Sequence, residues 1–229
     1  MKLLPFAAAA VVFAAAHAYA GPTNEPPPVG NVIYQLSGQL ISGTYQLGTA
    51  TFVAGTTATN LAFAFREDPA YLLLSNVSMV DVTTGGSNLV LNGDFSLGPV
   101  GSSAPTDWSY LNTFGAYAGG VVGSGCGLTG NNCYVDGAVQ AYDAINQVIP
   151  TIVGDTYQVS FYYADTDPNG AVYQPISTNG DVSDTGGNGR DMFVYAGSGV
   201  PVRAPEPASL ALFATGLAGL GMLRRPRKI

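Results

Sequence analysis

Histidine is almost absent from this chain of 229 residues, because the one histidine, His17, lies in an apolar N-terminal stretch typical of a signal peptide. Removal of that stretch would leave a mature protein without histidine. Ser-His-Asp and Cys-His catalysis are therefore excluded, and so are zinc or copper sites built on imidazole. Any bound metal would need oxygen ligands, which favours calcium.

Basic residues are scarce between the two ends of the chain. The sequence has 8 lysines and arginines against 15 aspartates and glutamates. Most of the basic residues lie in the terminal segments, so the body keeps only Arg66, Arg190 and Arg203 and has no lysine. An acidic body of this kind argues against nucleic acid and anionic lipid as partners.

Cysteine is limited to Cys126 and Cys133, which flank a short glycine-rich stretch. Export to an oxidising compartment favours a disulfide between them, and a reduced thiol pair is the alternative. A zinc site would need two further soft ligands that the sequence does not contain. The bond would constrain a short surface loop.

The first 20 residues have the three parts of a signal peptide. Lys2 supplies the positive charge, the stretch from Leu3 to Ala16 is almost wholly apolar, and Ala18-Tyr19-Ala20 is a small-x-small cleavage site. We expect signal peptidase to remove this helix, residues 1–20, and a retained N-terminal helix is the alternative. Residues 21–30 are rich in proline and predict an extended linker.

The C-terminal residues combine a rigid motif, an apolar run and a basic cluster. Residues 201–207 form a linker that ends in Pro205, Glu206 and Pro207. Residues 208–223 are apolar, and as a transmembrane helix they would span about 24 Å of a bilayer core that is ~30 Å thick. The tail, residues 224–229, has four basic side chains: Arg224, Arg225, Arg227 and Lys228. Such a cluster predicts a cytoplasmic C-terminus, and the whole segment fits either a processed sorting signal or a single-pass anchor.

This C-terminal segment resembles the PEP-CTERM sorting signal, which is also catalogued as an ice-binding protein C-terminal domain. The resemblance rests on Pro205-Glu206-Pro207-Ala208-Ser209-Leu210 and, after the apolar run, on Leu223-Arg224-Arg225. It implies a Gram-negative host that makes exopolysaccharide. It also implies a transient stay in the inner membrane, cleavage near the motif by an exosortase, and delivery to the cell surface or extracellular matrix.

The body, residues 31–200, has the period-two pattern of β-strands. Leu61, Phe63 and Phe65 alternate with Ala62, Ala64 and Arg66, which predicts a half-buried strand. Tyr157, Val159, Phe161 and Tyr163 alternate in the same way, so we expect these tyrosines in the core. No helix of ten residues is predicted here, and the many glycines and polar breaks predict an all-β sandwich.

Two stretches of the body resemble a galactose-binding-like jelly roll, the fold of many carbohydrate-binding modules. Residues 88–95, Trp108, residues 145–148 and residues 154–164 are similar to its opening strands, and residues 61–79 are similar to its closing strands. The closing strands come first in this chain. We therefore expect one jelly-roll-like sandwich in permuted order, with residues 31–83 closing and 88–200 opening it, and two small separate β units are the alternative.

Three features of the body are candidate sites that have simpler structural interpretations. Trp108 could stack on a sugar ring, but we expect it to be a core anchor. Residues 165–170 copy the first half of a calcium loop, but Ile176 stands where a bidentate glutamate is needed, so a solvated turn is expected. Arg66 next to Glu67 and Asp68 predicts a local ion pair before a turn.

The jelly-roll resemblance also implies a structural calcium between the opening segment and the last strand. Asp94 matches the opening acid, whereas Ser96 replaces a usual second acid and Asn76 stands where an acid is common. Asp94 and Asn76 are therefore the candidate calcium ligands, and no other cofactor is expected. The sequence does not indicate a ligand-binding residue for any other group.

The combined features predict a non-enzymatic protein that is exported to the surface or the exopolysaccharide matrix. Adhesion or glycan association is the expected molecular role, with extracellular polysaccharide as the partner. A secreted glycan-active enzyme is one alternative, because paired carboxylates cannot be recognised or dismissed by residue type alone. A purely structural coat protein is the other.

Overall fold

The computed structural model describes residues 28–37, 41–67, 70–114, 120–138, 142–167 and 190–198, without the side chains of 112–114 and 190. The predicted signal helix, most of the proline-rich linker, the linker 201–207, the apolar segment 208–223 and the basic tail lie outside these residues. In the part that is described, no helix has the length and apolarity needed to cross a membrane.

The described residues form ten β-strands. They are β1 (Val32–Ser37), β2 (Gln46–Val53), β3 (Ala58–Glu67), β4 (Leu72–Asp81), β5 (Ser109–Phe114), β6 (Val121–Gly123), β7 (Cys133–Asp136), β8 (Tyr142–Pro150), β9 (Thr156–Asp165) and β10 (Arg190–Gly197). The first sheet has the order β1-β10-β3-β8-β5, and the second has the order β2-β9-β4-β7-β6. All pairings between neighbouring strands are antiparallel. Each sheet contains strands from residues 31–83 and from residues 88–200.

The two sheets pack face to face around one apolar core. Phe63 on β3 and Phe161 on β9 meet edge to face across it, with their ring centroids 5.2 Å apart. Both side chains are fully buried, and such aromatic pairs add about 0.5–1.5 kcal/mol beyond the area that they bury. Tyr157 and Tyr163 are buried in the same core. The predicted all-β sandwich is confirmed.

Strand β3 is buried on both of its faces, so the prediction of a half-buried strand was wrong. On the outer face, Ala62 and Ala64 belong to a second apolar cluster with Tyr142 and Tyr195. The Tyr195 hydroxyl donates a 2.7 Å hydrogen bond to the Pro28 carbonyl, so the backbone at Pro28 lies over part of this face. Period-two alternation shows which residues share a face, but it does not show that a strand is central in its sheet and covered on its outer side.

Arg66 and Glu67 follow at the end of β3, and both are fully buried. The sequence predicts a local ion pair before a turn here, but it does not predict this burial. Asp165 also differs from the prediction, because it ends β9 and is 2% exposed rather than lying in a solvated turn. Its carboxylate accepts a 2.7 Å hydrogen bond from the Asp167 backbone N–H.

Candidate functional site

A polar cavity of about 580 Å³ lies where strand β4 meets the connection between β4 and β5. Its lining includes seven polar side chains: Asn76, Ser78, Asn88, Asn92, Asp94, Ser96 and Tyr162. Tyr162 alternates along β9 with side chains of the core, so it faces the outer side of the second sheet. The cavity is therefore open to solvent on the outer side of the sheet, and the core residues Val77 and Val90 form part of its lining.

An irregularity in β4 shapes one wall of the cavity. The pairing of β4 with β9 shifts register between Ser75 and Ser78, and Asn76 within it has a φ of 51°. Asparagine is one of the few non-glycine residues that tolerate this left-handed conformation. Bulges of this kind re-aim a side chain, and they are over-represented beside functional sites. The Ser75 hydroxyl donates a 3.1 Å hydrogen bond to the side-chain oxygen of Asn76.

Asn92 stabilises the opposite wall through hydrogen bonds from its side chain to the backbone. Its side-chain oxygen accepts a hydrogen bond from the Leu97 N–H at 3.0 Å, and its amide donates to the carbonyls of Leu97 and Thr106 at 3.2 and 2.7 Å. Its own backbone carbonyl accepts a 3.2 Å hydrogen bond from the indole of Trp108. Trp108 is 5% exposed and packs against Phe63, so the prediction that it anchors the core is confirmed.

Gly93 and Phe95 fix the backbone on either side of Asp94. The Val77 N–H donates to the Gly93 carbonyl at 2.8 Å, and a Cβ on Gly93 would lie 2.0 Å from the Val77 oxygen. Only glycine permits this approach. Phe95 is fully buried and lies 5.7 Å from Trp108, ring to ring, although its φ is 56°. Between these two fixed residues, Asp94 is presented to the cavity.

The two candidate calcium ligands, Asp94 and Asn76, line this same cavity. One Asp94 oxygen accepts hydrogen bonds from the N–H and hydroxyl of Ser96 at 3.2 and 2.9 Å, and the other accepts one from the Asn131 amide at 3.3 Å. Calcium takes six to eight oxygen ligands, usually from several carboxylates. Asp94 is the only acid in the lining, and the described residues hold no group of three or more histidines, cysteines or acids placed for a metal. This donor set does not fit a calcium cage, and calcium binding stays an untested prediction.

The predicted disulfide between Cys126 and Cys133 is present, with 5.3 Å between the two Cα atoms. The loop that it closes supports the cavity wall. The Leu128 N–H donates to the Ser75 hydroxyl at 3.2 Å, and Asn131 reaches Asp94 as described above. The Tyr45 hydroxyl donates to the Cys126 carbonyl and fixes the start of the loop. The sequence identified the bond but not its place beside the cavity.

A pair of buried acids was missed altogether. Asp136 on β7 and Asp143 on β8 are at most 1% exposed. The Ala138 N–H donates to one Asp136 oxygen at 3.0 Å, and the Tyr110 hydroxyl donates to Asp143 at 2.9 Å. Burial, together with the nearby charge of Asp143, raises the pKa of Asp136 well above its ordinary value. Neither acid lines the cavity, and no local motif marks them, because each is a single acid in a short stretch of strand.

Comparison with known protein families finds one match in this chain. The PEP-CTERM protein-sorting motif matches residues 203–228, which include Pro205, Glu206 and Pro207 and the basic cluster. These residues lie outside the described part of the structure. No curated protein and no solved structure matches the chain. The chain thus carries a PEP-CTERM sorting motif, which marks a protein that is exported through the membrane to the cell surface and sorted by an exosortase.

Proposed function

We propose that this protein is a non-enzymatic component of the cell surface or exopolysaccharide matrix and that it binds a glycan in the cavity beside Asp94. The observation that carries the proposal is the lining of that cavity. The hydroxyls of Ser78 and Tyr162 make no hydrogen bond to another described residue, and the amide of Asn76 lies in the same wall. Hydroxyls and amides both donate and accept, which matches the hydroxyl groups of a sugar.

The charge of the cavity favours a neutral glycan over an anionic one. Asp94 is the only charged residue in its lining, and the surrounding body is acidic. A uronic acid or sulfated sugar would bring a second negative charge against that carboxylate. Tyr162 offers an aromatic face next to the polar groups, the combination of apolar surface and placed polar groups that is usual in small-ligand sites.

A glycan array tests the proposal with the full chain and two variants that each lose a single hydroxyl. Ser78→Ala and Tyr162→Phe keep the shape of the wall, and loss of one hydrogen bond worth about 1 kcal/mol should weaken binding about fivefold in each. Ser160→Ala is the matched control, because Ser160 lies on the outer side of β9 but outside the cavity lining.

Three results would overturn this function. Binding that both cavity variants leave unchanged would place the glycan elsewhere. Absence of binding to every glycan would leave a structural coat protein. Release of shortened glycans during incubation would indicate a glycan-active enzyme.

We also propose that an exosortase cleaves the chain near Pro205-Glu206-Pro207 while residues 208–223 hold it in the inner membrane, with the basic tail in the cytoplasm. The match to the sorting motif supports this, together with the short apolar run and the four basic residues behind it. The intact mass and C-terminal sequence of the protein recovered from its own host test the proposal. A mass that ends near the motif is expected. Surface protein that still ends at Ile229 would mean that the segment is only an anchor.

A further inference from the structure

Strand β2 forms one edge of the second sheet in the described part of the chain, and it lacks the usual protection of an edge strand. It pairs with β9 along its whole length, from Gln46 to Val53, without a bulge. It contains no charged residue and no proline. The opposite edge of the same sheet is β6, which is only 3 residues long. Proteins usually shorten, charge, bulge or cover an edge strand so that it does not pair with another chain.

The hydrogen bonds next to β2 show which of its backbone groups point outward. The Ala54 N–H donates to the Asp155 carbonyl at 2.9 Å, so residue 54 bonds toward β9. The carbonyl of Thr156, which pairs with Val53, instead accepts from the Val82 N–H and so points away from β2. Along an antiparallel pair, residues that bond to the neighbouring strand alternate with residues whose N–H and C=O groups point away from it. The N–H and C=O groups of four residues therefore point to the open edge: Leu47, Thr49, Thr51 and Val53.

The side chains of the same four residues are all exposed on the outer side of the sheet. Leu47 and Val53 are 55% and 63% exposed, whereas Gly48 and Phe52 between them are buried. One edge thus combines outward backbone donors and acceptors with apolar and β-branched side chains. Such a surface fits another β-strand as its partner.

We propose that β2 pairs antiparallel with β2 of a second copy, around a two-fold axis through Ala50. This register places Leu47 opposite the partner's Val53 and Thr49 opposite the partner's Thr51. Apolar pairs and threonine pairs are favourable across antiparallel strands. The outward backbone groups of both strands gain partners, and the two five-stranded sheets become one continuous sheet. A single surface that pairs with itself in this way closes as a dimer.

Charge favours this edge as the contact between two acidic copies. Neither β2 nor the residues of β9 that pair with it, Thr156–Tyr163, include a charged side chain. The nearest acids along β9 are Asp155 and Asp165, which lie beyond the two ends of that stretch. Copies that meet at β2 therefore bring no carboxylates together along the paired strands, whereas like charges opposed across an interface would disfavour it.

A single added cysteine tests the register in the full chain. In the proposed dimer, the Ala50 residues of the two copies form a non-hydrogen-bonded pair with Cα atoms about 4.5 Å apart, within the range that a disulfide can bridge. We expect Ala50→Cys to give a disulfide-linked dimer as the main band on a non-reducing gel after mild oxidation. Ser109→Cys is the matched control, because Ser109 is exposed on β5, an edge strand of the other sheet. Equal cross-linking of the two variants would overturn the proposal.

A second pair of variants tests edge pairing without a cysteine. Thr51→Pro removes an outward-facing N–H while leaving the hydrogen bonds to β9, and Thr51→Lys adds a charge at the contact. Both should raise the dimer dissociation constant at least tenfold in sedimentation equilibrium of the detergent-solubilised full chain, with an unchanged near-ultraviolet circular dichroism spectrum. A wild-type chain that sediments as a monomer at every concentration, or a Thr51→Lys dimer as tight as wild type, would refute it.

Discussion

The buried acid Asp136 should make this sandwich less stable as the pH rises. Its pKa is raised because the carboxyl is fully buried beside Asp143, so the folded protein holds a proton that the unfolded chain releases near pH 3.8. The stabilising effect of that proton is complete below the unfolded pKa and is lost as the pH rises toward the folded pKa. Asp136→Asn should remove this dependence, because the neutral amide keeps the oxygen that accepts from the Ala138 N–H.

The slope of the effect follows from linkage. Between the unfolded and folded pKa values, the folded state carries one more proton than the unfolded state. The free energy of unfolding then falls by about 1.4 kcal/mol for each pH unit. Asp136→Asn should therefore become more stable relative to wild type by about this amount per unit above pH 4. Groups that do not interact with Asp136 contribute equally to both proteins, so their effects cancel and the difference reports the coupled pair of Asp136 and Asp143.

Urea unfolding of wild type and Asp136→Asn at half-unit steps from pH 4 to pH 8 measures the difference. Tyrosine and tryptophan fluorescence report unfolding, and equal m values in the two proteins are required for the comparison. A stability difference that stays constant across this range would refute the reasoning, since it would mean that Asp136 ionises in the folded state at its ordinary pKa. A loss of stability of Asp136→Asn relative to wild type with rising pH would be opposite to the expected trend and would also refute the reasoning.

Two further predictions concern the cavity walls. Gly93→Ala should cost about 1–3 kcal/mol of stability, because its Cβ would lie 2.0 Å from the Val77 oxygen, whereas Gly86→Ala has nothing within 4 Å and should cost little. Thermal unfolding measures both, and equal losses would contradict the steric argument. Replacing Cys126 and Cys133 by serine should cost about 2.5 kcal/mol from the entropy of the loop and should also weaken glycan binding. Chemical denaturation and a binding titration measure these effects, and unchanged affinity would show that the loop does not support the wall.

Several features of this protein followed from local sequence signals. Alternation along β3 and β9 predicted the sandwich, and the order of proline, apolar and basic residues predicted the sorting motif. The signal peptide implied export to an oxidising compartment, which predicted a bond between the only two cysteines, Cys126 and Cys133. Each of these signals is contained in a short stretch of chain, so it does not depend on knowing which strands are neighbours. Predictions about the two terminal helices, the permuted jelly-roll order and calcium stay open.

The tertiary structure decided what long-range strand pairing brings together. It placed Asn76, Asp94 and Tyr162 around one cavity, although Tyr162 lies far along the chain from the other two. It set Asp136 and Asp143 close enough for their charges to interact. It also buried Arg66, which alternation predicted to lie on the outer face of a half-buried strand. The physical reason is that side-chain alternation fixes the two faces of a strand, whereas its neighbours and the cover over its outer face depend on pairings between distant segments.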